Sequence, residues 1–524
     1  MSEHKAIFKS ASAIGAITIL SRITGFVRDV LIATVFGTGV AAQAFFVASK
    51  IPNAFRDIIG EGAGNAAFVP VFCEYLSKGR REDFLRLVNS VLRLLLVISG
   101  VIALAGIIFA PFIVRLIAPG FLEDRVKFDM TVHLTRLLFP FLILVSLSAY
   151  LMSVSNALKS FVLPAFSQVV SNLVLIVLIY LIANTAGLNR IYALGVAVLV
   201  AGSAQVMMQL PQMVKMGVDF RRGGVYPRIF KEEVIHKIGR LIMPRLVGTS
   251  IYQLNVFVDA IFGSLAYFVG EGAIAAIYYA NRIIQFPFAV FGIALSNAAL
   301  PTMSSDSASK DMGKFKATLL FCLKSVFLGV IPLMTGILIF SFPLVMVIFQ
   351  RGSFDAYSTD ITSRAVFFYG LGLLSYIGVR FLSHGFYALQ DTATPVKTAS
   401  IALVSNIILN SLFVFILRMQ ISGLALASSI SATLNFYMLY NIMKKRTGFA
   451  FDRAFGRLIL KSVAASLAMA VVVFWVWHRW FAGHPTLIRM LAVVLLGGVS
   501  YGLFLKLLKV DEVDRLLTWL RKKR

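Results

Sequence analysis

The sequence predicts an all-α polytopic membrane protein of about 14 transmembrane helices: two parallel six-helix repeats plus two C-terminal helices. Three observations carry this reading. The hydrophobic fraction is 59% and the charged fraction 14%, against about 45–50% and about 25% in soluble domains, and mean hydropathy is +0.85. Apolar stretches long enough to cross a bilayer recur from one end of the chain to the other. The second half also echoes the first, in order. Helix is the form such stretches take, because backbone facing lipid must satisfy its own hydrogen bonds.

Taken along the chain, the expected spans are 8–36, 41–72, 88–118, 131–157, 164–186, 190–214, 238–268, 273–302, 317–349, 361–388, 397–418, 422–443, 459–481 and 486–508. The first carries Arg22, Arg28 and Asp29 and has no small-residue cleavage site, so it reads as a retained helix and not as a signal peptide. Basic clusters fall between spans: Lys78/Arg80/Arg81/Arg86, Lys215 to Arg240, Lys310/Lys314/Lys316, Lys444/Lys445/Arg446/Arg453 and the tail Arg521–Arg524. The loops between them are short or acidic, as at Glu123/Asp124/Asp129, Glu271 and Asp355/Asp360. This alternation follows the positive-inside rule and places both termini in the cytoplasm. It also accounts for the net charge of +26 without a nucleic-acid partner, since no single soluble face collects the cations. Cys73 and Cys322 lie far apart and read as two free buried thiols.

The internal echo has an offset of 231 residues, which relates Pro70 to Pro301, Pro164 to Pro395, Arg93 to Lys324, Phe84 to Phe315 and Phe109 to Phe340. A one-residue slip then matches Gly120 to Gly352. Asn65-Ala66-Ala67 precedes the first proline and Asn297-Ala298-Ala299 its counterpart, while Ala157-Leu158 precedes Pro164 as Ala388-Leu389 precedes Pro395. Equivalent points are an even number of spans apart, so the repeats share one orientation, with the substrate site expected between the halves. The expected divisions are an N-terminal lobe at 1–218, a basic cytoplasmic linker at 219–235, a C-terminal lobe at 236–446, and two additional helices with a basic tail at 447–524.

Ionisable side chains at membrane depth cost roughly 2.5–3.5 kcal/mol each and face protein or a water-filled cavity by default. In the first span Arg22, Gly25 and Asp29 share a helical face, with Arg28 about 100° away. The second span carries Lys50, Arg56, Asp57 and Glu61 among Pro52, Gly60, Gly62, Gly64 and Pro70, a density that implies a bent or broken helix. Its counterpart carries Arg282 with Pro287, Gly292 and Pro301. Arg22 and Lys50 could equally reach an interface or pair with a carboxylate, and Arg136, Arg245 and Arg380 sit near span ends where reaching an interface is the plainer reading. His133 and His384 read as core or interface histidines.

A cavity lined by guanidinium groups selects an anion, because arginine grips phosphate oxygens in a fork and stays charged in a low dielectric. No phosphate-binding loop, H-E-x-x-H or Ser/His/Asp arrangement is present, so a transporter with no catalytic residue, no metal and no cofactor is expected. Asp259, with Asn406 and Asn410 on one helical face, offers oxygen ligands for a monovalent cation, or else makes interhelical hydrogen bonds with Asp259 paired to an arginine.

Two motifs carry a resemblance: Ser21-Arg22-Ile23-Thr24-Gly25-Phe26-Val27-Arg28-Asp29 with Phe36-Gly37, and Ala44-Phe45-Phe46-Val47-Ala48-Ser49-Lys50-Ile51-Pro52-Asn53-Ala54-Phe55-Arg56. With Tyr278-Tyr279-Ala280-Asn281-Arg282, Phe286-Pro287 and Gly385-Phe386-Tyr387-Ala388, the chain resembles the MurJ (MviN) lipid II flippases of the multidrug/oligosaccharidyl-lipid/polysaccharide exporter superfamily. The resemblance implies a V of two six-helix lobes in the bacterial cytoplasmic membrane, and two extra helices forming a groove for a lipid tail. The implied substrate is lipid II, the undecaprenyl-pyrophosphate-linked peptidoglycan precursor, moved from the inner to the outer leaflet by alternating access. Head-group positions carry over onto Arg22, Arg28, Asp29, Lys50, Arg56 and Arg282. Gln43 and Asn281 stand where the family usually has acidic residues, so a charge switch built on those carboxylates is not implied here. The resemblance implies a monomer working among membrane lipids, beside cell-wall synthesis enzymes. Rival readings are a flippase for another polyprenyl-linked glycan, a multidrug antiporter of the same superfamily, or a non-transporting scaffold for cell-wall enzymes.

Overall fold

The computed structural model describes residues 2–56, 68–77, 79, 81–184, 189–218, 253–481 and 486–510, and among these there are helices and no strand. Eight segments among the described residues are long and apolar enough to cross a membrane, and a ninth if the pair 356–371 and 373–388, bent by 46°, forms one span. The chain is a multi-pass membrane protein. Two compact units divide it, Met1–Leu265 and Ala266–Arg524.

The first unit contains α1 (Ser2–Phe36), α2 (Val40–Arg56), α3 (Val69–Ser77), α4 (Arg81–Ile108), α5 (Ala110–Ile117), α6 (Arg125–Leu138), α7 (Phe141–Ala157), α8 (Val162–Ala183), α9 (Asn189–Lys215) and α10 (Gln253–Gly263). Here α8 packs on α1 and α9, α2 on α6, and α7 on α4 and α9. Glycine sets the closest approaches: a Cβ at Gly195 would lie 2.5 Å from Leu137, and one at Gly202 would lie 2.8 Å from Phe141. Small residues at such crossings let helices meet where no hydrophobic effect drives them together. The core joins Phe68, Phe72, Phe84 and Tyr150 edge to face. The Tyr150 hydroxyl is satisfied by donating to the Val88 carbonyl at 2.7 Å.

The second unit contains α11 (Ala266–Val269), α12 (Ala273–Pro287), α13 (Ala294–Ala308), α14 (Met312–Phe349), α15 (Ala356–Leu371), α16 (Leu373–Ala388), α17 (Ala393–Ser411), α18 (Gln420–Thr447), α19 (Arg453–Val476) and α20 (Leu487–Leu507). Here α14 packs on α15 and α19, α18 on α15, α16 and α17, and α19 on α20. Side-chain N-caps start several helices across the chain: Asp124 accepts from the Lys127 amide, Asp355 from Ser358, Asp452 from Phe455 and Thr486 from Arg489. The helix α14 kinks at Phe340, three residues ahead of Pro343, whose ring clashes with the preceding turn.

The break expected at Pro287 and Gly292 takes the form of a π-helical segment, Phe288–Ile293, between α12 and α13. Such segments interrupt the regular hydrogen-bond ladder and recur at functional sites. In the first unit α2 runs through Pro52 to Arg56, and helix resumes at Val69. Asp57, Gly60, Glu61, Gly62 and Gly64 lie outside the described residues, as do the linker 219–235, Arg240, Arg245 and the tail Arg521–Arg524.

Repeat and spatial grouping differ at α10. By the repeat, residues 253–265 belong with the second lobe, but they group with the first unit. Two close approaches tie them there. The Gly120 amide donates to Ser264 Oγ at 3.0 Å, and a Cβ at Gly120 would stand 2.1 Å from the Ser264 carbonyl oxygen. The Lys50 ammonium donates to the Val256 carbonyl at 3.3 Å.

Candidate functional site

The charged face of α1 is organised around Arg28. Its Nε and Nη2 donate to Asp29 Oδ1 at 3.0 and 2.8 Å, and its Nη1 donates to Asn172 Oδ1 on α8 at 3.0 Å. Asp29 is 1% exposed, whereas the Arg28 side chain keeps 19% of its surface. Helical spacing sets the two side chains about 100° apart, yet the long arginine curls back onto its neighbour. A buried carboxylate is stable only with such a partner, and this pairing holds the guanidinium against α1. Arg22, on the same helix, is exposed, as is Arg56 at the end of α2.

Lys50 takes up the carboxylate neighbourhood that was the alternative to an interfacial position. Its ammonium is turned toward α10, where it meets the Val256 carbonyl and lies in electrostatic reach of Asp259. The charge beside Asp259 is thus a lysine, not the arginine the sequence suggested. Asp259 is 9% exposed, and its Oδ1 has no hydrogen-bond partner among the described residues. Asn406 and Asn410, buried in α17 of the second unit, are engaged with each other: Asn410 Nδ2 donates to Asn406 Oδ1 at 3.0 Å, and Asn406 Nδ2 to Ser428 Oγ at 3.3 Å. Among the described residues no group of three or more His, Cys, Asp or Glu could hold a metal ion.

In the second unit Arg282 is half-buried on α12. It donates to the Tyr278 hydroxyl at 2.7 Å and to Gln285 Oε1 at 3.3 Å, and its guanidinium lies 4.8 Å from the Tyr278 ring centre. Past the π-helical break, Arg380 Nε donates to Ser296 Oγ at 3.1 Å, and His384 Nδ1 is 3.2 Å from the Ser296 carbonyl. Arg380 therefore braces this break, whereas span-end position had suggested an interfacial side chain. His384 is buried and His133 exposed. Cys322 is buried and Cys73 exposed, and both are free thiols, so burial holds for only one of them.

Outside the spans, Asp391 links the start of α17 to the end of α18. Burial alone would raise its carboxyl. The Thr394 hydroxyl and amide, at 2.6 and 2.9 Å, and the Arg446 guanidinium outweigh that and hold it below the usual carboxylate range. On the surface of the second unit, α14 and α19 form an open apolar groove of about 840 Å³, lined by Ile339, Leu467, Val471 and Phe474 and ended by His478 and Arg479.

Asn172 was not singled out from the sequence, and Tyr278 entered only as part of a motif, with no role of its own. Asn172 had one available signal, a polar side chain directly ahead of the long apolar run Leu173–Ile182, and Tyr278 had its spacing one turn ahead of Arg282.

Eight or nine helices long and apolar enough to cross a membrane, among the described residues, define a multi-pass membrane protein. A family profile described as "Lipid II flippase MurJ" matches residues 32–494. The chain belongs to the MurJ lipid II flippase family. It is 34% identical to the probable lipid II flippase MurJ of Haemophilus influenzae, over 87% of this chain and 90% of that protein. A solved lipid II flippase MurJ in an inward closed conformation superposes with a TM-score of 0.80 at 25% identity, covering 95% of this chain and 99% of that one. An inward-facing multidrug resistance transporter of the MATE family shares the fold alone, with a TM-score of 0.70 at 12% identity over 84% of this chain and 98% of that one.

Proposed function

We propose that this chain is a lipid II flippase, moving the polyprenyl-pyrophosphate-linked precursor across the bacterial cytoplasmic membrane for peptidoglycan synthesis. The observation that carries the reading, beside family membership, is Arg28: a half-buried, permanently charged fork held on α1 by Asp29 and Asn172. Such a fork suits the oxygens of a pyrophosphate. Arg56 and Arg282 serve the same substrate during the cycle, with Arg22 and Lys50 as further cations of the head-group set.

The polyprenyl tail stays in lipid, and the apolar groove on α14 and α19 matches its chemistry. Both termini face the cytoplasm, on the strength of the basic loops. Transport proceeds by alternating access, with membrane potential favouring outward movement of negative charge by about 2.3 kcal/mol per charge per 100 mV where the full field is crossed. Asp259, whose buried Oδ1 has no hydrogen-bond partner among the described residues, is proposed to take a monovalent cation on the return stroke. A flipping rate in vesicles that does not depend on the cation would remove that part.

The test is lipid II translocation in cells depleted of their own flippase, with every variant at matched membrane level. The parent chain restores translocation. Arg282→Ala, Arg56→Ala and the paired Arg28→Ala/Asp29→Ala, which removes the α1 charges without stranding a buried carboxylate, lose it. Failure of a folded parent would redirect the reading to another polyprenyl-linked glycan. Retention of transport by all three variants would make the arginines structural.

A further inference from the structure

We propose that Asn172 on α8 is the positioning residue that orients the Arg28 guanidinium for the substrate's pyrophosphate. This rests on the reading of Arg28 as a pyrophosphate ligand. Asn172 is 3% exposed and is followed on α8 by an unbroken run of apolar residues. A buried amide costs free energy there unless its hydrogen bonds are made.

Both ends of the amide are assigned by their surroundings. Nδ2 donates to the Ser21 carbonyl at 3.1 Å and to Thr24 Oγ1 at 3.3 Å, one turn apart on α1. The Thr24 hydroxyl donates its own proton back to the Leu20 and Ser21 carbonyls, so toward Asn172 it can only accept. Oδ1 is therefore the end that faces Arg28, where it accepts from Nη1 at 3.0 Å. The reversed amide would set two donors against each other. Gly25 lies on the face of α1 turned to Asn172, where a Cβ would make an ordinary contact with Nδ2 at 3.5 Å.

The two partners of Arg28 then do different jobs. Asp29 grips the Nε and Nη2 edge and supplies the opposite charge that makes burial tolerable. Asn172 grips Nη1 from another helix and carries no charge, so it fixes the plane of the fork without cancelling its attraction for an anion. Orientation matters because a bidentate grip on phosphate oxygens requires the fork to be held within about 10–20° of its productive geometry.

The experiment measures affinity of the full-length protein in nanodiscs for purified lipid II, together with the thermal midpoint of each variant. Asn172→Ala is expected to weaken binding about tenfold with little change in midpoint. Arg28→Lys keeps a cation against Asp29 but abolishes the fork, and adding Asn172→Ala to it should cause no further loss. Asn172→Asp preserves the shape and places a second carboxylate on the guanidinium, so it should bind more weakly than Asn172→Ala. A merely structural asparagine predicts the reverse ranking, and this comparison also covers a poorly folding alanine variant. Parental affinity in Asn172→Ala, or a loss that adds in full to that of Arg28→Lys, overturns the assignment. Parental affinity in Arg28→Lys itself fails the pyrophosphate reading of Arg28, and the role of Asn172 falls with it.

Discussion

Replacing Arg28 by leucine takes away the guanidinium that donates to Asp29 Oδ1 from both Nε and Nη2, while the carboxylate remains 1% exposed. Stranding one member of a buried pair in this way costs about 3–5 kcal/mol. The converse change is milder. In Asp29→Asn the arginine keeps Asn172 and its 19% exposure to polar surroundings, so the loss is that of a charged hydrogen bond, about 1.5–3 kcal/mol. Removing both charges in Arg28→Leu/Asp29→Leu should recover most of the first loss. What remains is about 1–2 kcal/mol from Asn172 Oδ1 facing a leucine. Unfolding of the purified full-length protein in one detergent at neutral pH would order the three variants, with Arg28→Leu the least stable. The double variant should be folded yet inactive in lipid II translocation, which separates the pair's part in stability from its part in transport. A stable Arg28→Leu, or a double variant no better than that single change, would refute the argument that Asp29 is charged and dependent on Arg28.

Three further outcomes follow from other parts of the molecule. Gly120→Ala places a methyl 2.1 Å from the Ser264 carbonyl oxygen and should cost about 1–3 kcal/mol in unfolding measurements, against about 1 kcal/mol for Ser264→Ala, which loses the bond accepted from the Gly120 amide and the one donated to the Ile261 carbonyl in its own turn. Tyr278→Phe removes the hydroxyl that accepts from Arg282 but keeps the ring beneath its guanidinium. Lipid II translocation should fall a few-fold there, and further in Tyr278→Leu, by about 0.5–1 kcal/mol of cation–π attraction. The depressed Asp391 carboxyl stabilises the protein above its unfolded value, about pH 4, and that contribution fades as pH falls through the lower folded value. Hydrogen exchange in the segment joining α16 to α17 should therefore rise in acid, with the step absent in Asp391→Asn.

Much of the protein was legible from the chain alone, for reasons that are local. Span positions follow from hydropathy because lipid imposes one requirement on every residue that faces it. Helix therefore occupies the stretches around each expected span within the described residues, down to the break after Pro287. Arg28, Asp29 and Arg282 could be singled out because a charge in an apolar run is conspicuous without knowledge of its neighbours.

The pairings were not legible, because they depend on which helix faces come within about 3 Å of one another. Asn172 meets Arg28 across 144 residues, and Lys50 reaches Val256 across 206. No periodicity in α1, α2, α8 or α10 encodes those contacts. The carboxylate that Lys50 faces, Asp259, and the close approach of Gly120 to Ser264 that joins α10 to the first unit became visible only in the fold. The sequence by itself determined a helical membrane carrier with arginines at membrane depth, because burial in lipid is a property of single segments. Only tertiary structure decided which arginine is braced, by what, and in which orientation, because hydrogen bonds are directional and join segments that sequence keeps apart.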